Sequence, residues 1–339
     1  MKILMLMLIQ FIGMVKRSVI LMAYTDTEDL NYRGELFLIG AYQTPFLSMM
    51  GGIGAGMRSN SFIFPLAQPY GLSAASQPAI TEAVSAAAGT PTTITRSQET
   101  NTVQIFKYDA AVSFVKQSQF GIMSGINTSA ENPVTDELTF QKQGQLYQMA
   151  IDMEYSFLNG AFADSSGSAT TAAKTRGIIT ASTTNTVAGG SAALTKAMVN
   201  EVLREMATNG AKFQNCVIFV NAFQKQKLSD IYGYAPQDRN IGGLNVKTIE
   251  TDFATMGVVY DPFVPAGTLL IADMAVCNPV FVPISFNGED FSTDMAGSDV
   301  LWVPTAITSA QKGGFWFAQA GINYGPKEYH GTITGLATA

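Results

Sequence analysis

Residues 133–160 of this 339-residue chain read PVTDELTFQKQGQLYQMAIDMEYSFLNG, the longest regular pattern in the sequence. Asn132 is a candidate N-cap before it, and Pro133 suits the first helical position. The apolar residues that follow recur at helical spacing: Leu146, Ala150, Met153 and Phe157, widened by Tyr147, Ile151 and Leu158. The pattern predicts one long helix over 133–159, ended by an Asn-Gly pair.

Two segments before this helix are poorly suited to fold compactly alone. Residues 31–56 read NYRGELFLIGAYQTPFLSMMGGIGAG, an apolar strip broken by Pro45 and ended by glycines. Such a strip needs a partner surface. The sequence therefore predicts an N-terminal arm over residues 23–58. The side chains that this arm would lay on a neighbouring subunit are Phe46, Leu47, Met49 and Met50.

The second segment, residues 69–96, carries almost no large apolar side chains and one charge, Glu82, before its last residue. A stretch of ~25 residues that buries so little fits the interior of a compact domain poorly. It predicts a projecting loop in which Pro78 and Ile80 contact another subunit. Strand-like patterns at 61–66 and 102–115 flank it and predict a long two-stranded hairpin over residues 59–118.

Beyond the long helix, short helices and strands alternate. Thr195 is a predicted N-cap with Leu194 and Val199 as a hydrophobic staple, and Asn221 is predicted to cap a helix through residue 231. The predicted strands are 176–179, 216–220, 244–249, 256–260, 268–272, 276–284, 315–322 and 331–333. This order predicts an α+β fold.

The first 22 residues read differently from the rest. Residues 3–15 are nearly all apolar after Lys2, which imitates a signal peptide, but Lys16 and Arg17 interrupt the run and no small-x-small cleavage site follows. Three interpretations are open: a secretion signal, an extra amphipathic arm, or an upstream start whose natural initiator is Met22. The last is favoured, which makes residues 1–22 a leader or a mis-assigned start.

The composition is poor in charge. Only 14% of residues are Asp, Glu, Lys or Arg, and the net charge is −6. A soluble monomer of this size displays more charge, so the composition predicts large areas covered by copies of the chain or by partners. The acidic balance argues against a direct grip on nucleic-acid phosphates, although an acidic surface can still enclose nucleic acid.

Little in the sequence indicates catalysis. The single histidine, His330, precedes the predicted terminal strand and is expected to be structural. The acidic residues of the long helix are expected to be solvated or between subunits: Asp136, Glu137, Asp152 and Glu154. Glycines at 51–56 fit no phosphate-loop motif, and Cys216 and Cys277 lack metal-ligand spacing. No catalytic, cofactor or metal site is predicted, and no run of apolar residues is long enough for a membrane span.

Five segments together resemble a known family. They are RGELFLIGAYQTPFLSMMGG at 33–52, QMAIDMEYSFLNGAF at 148–162, TRGI at 175–178, CVIFVN at 216–221 and GPKEYHGTITGL at 325–336. In their order and spacing the chain resembles the tailed-bacteriophage major capsid proteins of the Hong Kong ninety-seven type. The likeness covers nearly the whole chain from Met22.

The resemblance implies an architecture and a function. Residues 119–182 would form a peripheral domain around the spine helix, residues 183–290 an axial domain, and residues 291–339 would complete the peripheral domain. Copies would assemble into pentamers and hexamers of an icosahedral head enclosing double-stranded DNA, without sequence-specific binding. Scaffold, portal and decoration proteins would be separate partners, and the chain would be part of the virion, assembled in the host cytoplasm. The alternatives are an encapsulin-like nanocompartment shell and a secreted surface-array protein.

Overall fold

A computed structural model describes residues 43–53, 56–67, 70–72, 74–89, 93–118, 136–233, 248–284, 299–307 and 309–338. Several predictions fall outside these ranges: the leader at 1–22, the first part of the arm at 23–42, the helix start at Asn132 and Pro133, and the strand residues 244–247.

The described elements alternate along the chain much as the sequence predicts. The helices are α1 (Pro45–Met49), α2 (Glu82–Ala86), α3 (Phe114–Ser118), α4 (Glu137–Asn159), α5 (Ile178–Ala181), α6 (Lys196–Thr208) and α7 (Ala222–Tyr232). The strands are β1 (Met57–Arg58), β2 (Ile63–Pro65), β3 (Thr100–Thr102), β4 (Gln104–Ser113), β5 (Thr186–Ala188), β6 (Cys216–Val220), β7 (Thr248–Glu250), β8 (Thr255–Tyr260), β9 (Leu269–Asp273), β10 (Asn278–Phe281), β11 (Val300–Pro304), β12 (Gln311–Asn323) and β13 (Gly331–Thr334).

The long helix α4 is the spine of the first half. Its N-cap is Asp136, whose side chain accepts from the backbone N–H of Leu138, and it ends at Asn159 with Gly160 as C-cap. Met153 and Phe157, both on the predicted face, are fully buried. Tyr147, predicted to widen that face, is 64% exposed instead.

A five-stranded sheet packs on α4. Its centre is β12, which pairs with β4 along one edge and with β10 and β11 in succession along the other, while β1 pairs with β10 in parallel. The sequence predicts a long two-stranded hairpin over residues 59–118 with β4 in one arm, and the structure shows that hairpin only in part. Strands β2 and β3 pair across the loop and an antiparallel bridge between Tyr70 and Arg96 continues this pairing, whereas β4 pairs with β12.

A six-stranded sheet in the order β5-β13-β9-β6-β8-β7 forms the second half. Strand β6 is buried along its whole length: Val217 and Phe219 face the core around α4, whereas Ile218 and Val220 face a second core under α6. A strand covered on both faces reads as a continuous apolar run, as CVIFV does. The Thr195 cap and the staple of Leu194 on Val199 are confirmed at the start of α6.

Three details differ from the sequence-based expectation. The strand predicted at 176–179 does not form, and residues Ile178–Ala181 form the short helix α5, packed beside the end of α4. Strand β13, expected in the peripheral segment, lies in the six-stranded sheet beside β5 and β9. Strand β10, expected in the axial segment, pairs with β12 in the other sheet. The two layers therefore exchange strands, since each needs a strand from a distant part of the chain to complete its hydrogen bonding.

Candidate assembly surface

The projecting loop is the most exposed part of the described chain. Every described residue from Tyr70 to Gln98 is exposed. Within it, the apolar side chains of Leu72, Ile80 and Val84 are 73%, 66% and 62% exposed. Pro78 is exposed as well. The loop has one short helix, α2, capped by Thr81, whose hydroxyl accepts from the backbone N–H of Val84. It buries none of its own apolar groups in the described structure, so it has no core of its own.

The base of this loop is firmly fixed. Asn101, on β3, is fully buried, and its Nδ2 donates to the carbonyl of Ile322 at 2.8 Å and to that of Arg176 at 3.2 Å. Its Oδ1 accepts from the backbone N–H of Arg176 at 2.8 Å and of Thr102 at 2.9 Å. Sequence reasoning missed Asn101, because nothing in a single sequence separates a buried asparagine from an exposed one.

The arm residues are placed differently from the prediction. Phe46, Leu47 and Met50 are buried in the chain's own core, at 0%, 1% and 8% exposure. The Phe46 ring meets the ring of Phe219 edge to face at 5.2 Å. The prediction that these three side chains contact a neighbouring subunit is therefore wrong: helix α1 seats them between α4 and β6. Met49, which is 44% exposed, faces outward and remains a predicted contact.

Glu154 is the second unexpected residue. It is fully buried on α4, and its two carboxylate oxygens accept from the backbone N–H groups of Phe46 at 2.8 Å and Leu47 at 2.6 Å. The expectation that this residue is solvated or between subunits is wrong. The carboxylate of Asp261, also fully buried, lies beside it.

Several aromatic side chains are exposed along α4. Phe140, Tyr147 and Tyr155 are exposed along this helix, and Ile105 is exposed on the adjoining strand. Between helix and strand lies an open cavity of about 340 Å³, lined in part by Tyr155 and Asp152. The Tyr108 hydroxyl donates to Asp152 there, and burial, followed by this hydrogen bond, raises the pKa of Tyr108. The cavity is therefore of mixed polarity: Gln104, Lys107 and Ser156 line it together with Ile105, Phe106 and the Tyr108–Asp152 pair.

His330 has both ring nitrogens engaged with backbone. Nδ1 accepts from the N–H of Asp273 at 3.2 Å, and Nε2 donates to the carbonyl of Tyr324 at 2.6 Å, which defines the neutral tautomer. The ring is fully buried, and burial lowers its pKa to about 4. A histidine held in this way joins β9 to the turn before β13 and is not placed to exchange protons with a substrate.

Other chemistry finds little support in the described ranges. Cys216 and Cys277 are buried free thiols, and burial raises the pKa of Cys216 to about 12, which makes it unreactive. Among the residues that the structure describes, no three histidine, cysteine or carboxylate side chains converge to hold a metal ion. Within the same ranges, no helix has the length and apolarity needed to cross a membrane.

Comparison with known proteins identifies the family. A sequence profile of the SU10 major capsid protein family matches residues 19–337. Among curated proteins, no match was found.

Solved structures share the fold at low sequence identity. The capsid of a native GTA particle superposes with a TM-score of 0.56 at 11% identity, over 93% of this chain and 97% of that one. The capsid of cyanophage A-1(L) gives 0.55 at 13% identity, over 91% and 96%. The holo-SrpI encapsulin of Synechococcus elongatus PCC 7942 gives 0.54 at 9% identity, over 91% and 94%. At these identities the likeness establishes the shared fold.

Proposed function

Because the chain belongs to the SU10 major capsid protein family, it is a phage shell protein, and we propose that its copies assemble into pentamers and hexamers that close an icosahedral head around double-stranded DNA. The virion is accordingly its place of action, and its role is structural rather than enzymatic. Assembly in the host cytoplasm is part of the proposal.

The observation that carries this proposal is the exposed loop. Every described residue from Tyr70 to Gln98 is exposed, although ordering each backbone residue costs about 1–2 kcal/mol of conformational entropy. A loop that buries no apolar side chain on its own chain gains little hydrophobic stabilisation to offset that cost. Contact with a second copy of the chain supplies the missing burial, through Ile80, Val84 and their exposed neighbours.

The cavity between α4 and β4 is a suitable receiving surface for such a loop. Tyr155, which lines it, is 55% exposed, and Ile105 on β4 is 52% exposed. Aromatic residues at such positions are enriched in the cores of protein interfaces. We propose that the loop of one subunit lies over this cavity of the next.

The charge balance agrees with enclosing DNA rather than gripping it. A net charge of −6 gives little counterion release on phosphates, so contacts with DNA would be weak and independent of its sequence. A portal for DNA entry and a scaffold for assembly are further partners that we propose. Both would be separate proteins, as would any decoration protein.

An encapsulin-like shell is the second candidate, favoured by the superposition on an encapsulin. It shares the fold and the self-assembly but would load enzymes instead of DNA. The family assignment supports the phage head over this alternative.

Expression of the full chain, with and without a co-expressed scaffold, tests the assembly. Negative-stain electron microscopy is expected to show rings, tubes or closed shells, and a chain that stays monomeric at high concentration would refute the proposal. Native particles then separate the two kinds of shell. Nuclease-protected DNA inside them supports the phage head, whereas a co-purifying enzyme without DNA supports the encapsulin-like compartment.

A further inference from the structure

Helix α1 is capped by a side chain from another helix. Thr44, its N-cap residue, makes no capping hydrogen bond with its own side chain, and Pro45 has no N–H to donate. The next two N–H groups, of Phe46 and Leu47, both donate to the carboxylate of Glu154 on α4. Helix starts leave such N–H groups unpaired unless a cap satisfies them. Glu154 therefore holds the segment 43–53 in the core through two hydrogen bonds.

The carboxylate of Asp261 lies within hydrogen-bonding reach of Glu154. Its Oδ1 accepts from the backbone N–H of Phe263 at 2.9 Å, whereas its Oδ2 is buried and has no hydrogen-bond partner in the described structure. Two carboxylates this close in a buried site cannot both ionise. A proton held between them satisfies the unpaired oxygen and removes the repulsion.

No neighbouring cation in the described structure replaces that proton. Helices α1 (PFLSM) and α5 (IITA), which both pack on α4, carry no ionisable side chain. Strand β6 contributes only the Cys216 thiol, whose pKa is raised. On α4 itself, Asp152 is engaged with Tyr108. Asp261 is the charged group that acts on Glu154, and burial is the larger cause in both.

We propose that Glu154 and Asp261 share one proton and form a pH-sensitive clasp that fastens the segment 43–53 to the body of the subunit. When the clasp opens, both carboxyl groups enter water and their pKa values return to about 4. When it is closed, burial raises the pKa of both groups, that of Glu154 to about 9. The closed state thus binds a proton that the open state releases.

The sign of the pH effect follows directly. The clasp is tightest in acid and weakens as pH rises, by up to about tenfold per pH unit between ~4.5 and ~9, and it levels off above that range. Opening uncovers Phe46, Leu47 and Met50 and separates the ring of Phe46 from that of Phe219 on β6. The clasp thereby controls how firmly the segment that follows the first 42 residues is attached to the subunit.

Residue-resolved amide hydrogen exchange of the full chain tests this. The amides of Phe46 and Leu47 are measured from pH 5 to 9 and corrected for intrinsic exchange rates. The Phe223 amide is the internal control, because it donates at 2.9 Å to Asn221 Oδ1, a cap that does not titrate. Protection of Phe46 and Leu47 is expected to fall by at least about a hundredfold over this range relative to Phe223.

A matched variant removes the titration and keeps the shapes. In Glu154→Gln/Asp261→Asn, the relative protection is expected to stay flat with pH. The proposal is overturned if the wild-type amides follow Phe223 across the whole range, or if the double variant keeps the wild-type slope. Should the double variant fail to fold, the wild-type comparison with Phe223 decides by itself.

Discussion

At the residue scale, buried polar side chains do the positioning. Asn101 fixes the base of the loop through hydrogen bonds to the backbone, and Glu154 caps α1 from α4. His330 joins strand β9 to the turn before β13. Each satisfies backbone groups that would otherwise be buried without a partner, which is costly. Neither the type of these residues nor their position in the sequence indicates that they are buried and hydrogen-bonded to the backbone.

Asn101→Ala is expected to lower the free energy of unfolding by about 3 kcal/mol, because it leaves the N–H of Arg176 and the carbonyl of Ile322 buried and unpaired. Urea unfolding of the unassembled chain measures this. Thr100→Ala, at an exposed position of the same strand, is the control and should change stability by less than about 0.5 kcal/mol. Equal effects from the two variants would contradict the role of Asn101.

His330 predicts a loss of stability in acid. Its pKa is about 4 when folded and about 6.5 when unfolded, so the neutral ring favours folding above pH 6.5 and this advantage is lost as pH falls towards 4. The difference in unfolding free energy between wild type and His330→Gln should shrink by about 3 kcal/mol from pH 7 to pH 4. Denaturant titrations at several pH values measure it, and a difference that stays constant would refute the assignment.

At the element scale, local pattern and packing compete. The N-caps of α6 and α7 and the continuous apolar run of β6 were sufficient to predict these three elements, because these signals come from residues close together in the sequence. Residues 176–179, RGII, were predicted to form a strand, yet Ile178 and Ile179 begin helix α5, because packing beside the end of α4 overrides a strand preference of a few tenths of a kcal/mol. Strand β4 was predicted, but its partner β12 lies about two hundred residues away and could not be.

Glycine-to-alanine substitutions at Gly177, between α4 and α5, and at Gly144, within α4, are expected to change stability in opposite directions. A Cβ at Gly177 would lie 2.5 Å from the carbonyl oxygen of Leu158, so Gly177→Ala should destabilise the chain by at least about 2 kcal/mol. Gly144, on the exposed face of α4, has nothing within 4 Å of such a Cβ. Gly144→Ala should stabilise by about 1 kcal/mol through helix propensity. Thermal and urea unfolding of both variants check the signs, and a neutral Gly177→Ala would contradict the close approach.

At the scale of the whole molecule, surfaces that the subunit leaves uncovered carry the function. The loop 70–98 and the cavity beside α4 lie on the outside of a body whose two cores are already complete. Low charge in the sequence predicted covered surface in general. Of the residues predicted to contact a neighbouring subunit, Phe46, Leu47 and Met50 are buried in the subunit itself. Met49, Pro78 and Ile80 are exposed and remain predicted contacts.

Ile80→Asp is expected to block shell formation while leaving the stability of the unassembled chain within about 0.5 kcal/mol of wild type. The side chain is 66% exposed in the subunit, and burying it in an interface contributes about 1.5–3 kcal/mol at each repeated contact. Sedimentation and electron microscopy measure the assembled fraction. Ile307→Asp, at a position 61% exposed outside the loop, is the matched control and should still assemble. Normal assembly of Ile80→Asp would remove the loop from the interface.

The sequence by itself determined most of the longer helices and strands, that the loop cannot bury its own apolar side chains, and, through the order of its segments, the family. These properties depend on neighbours a few residues apart or on composition, both of which a single chain displays. Only the tertiary structure decided the pairing of β4 with β12, the burial of α1 and the meeting of Glu154 with Asp261. Those features depend on contacts between residues about one hundred to two hundred positions apart. The two carboxyl groups share a proton only because distant segments of the chain exclude water around them.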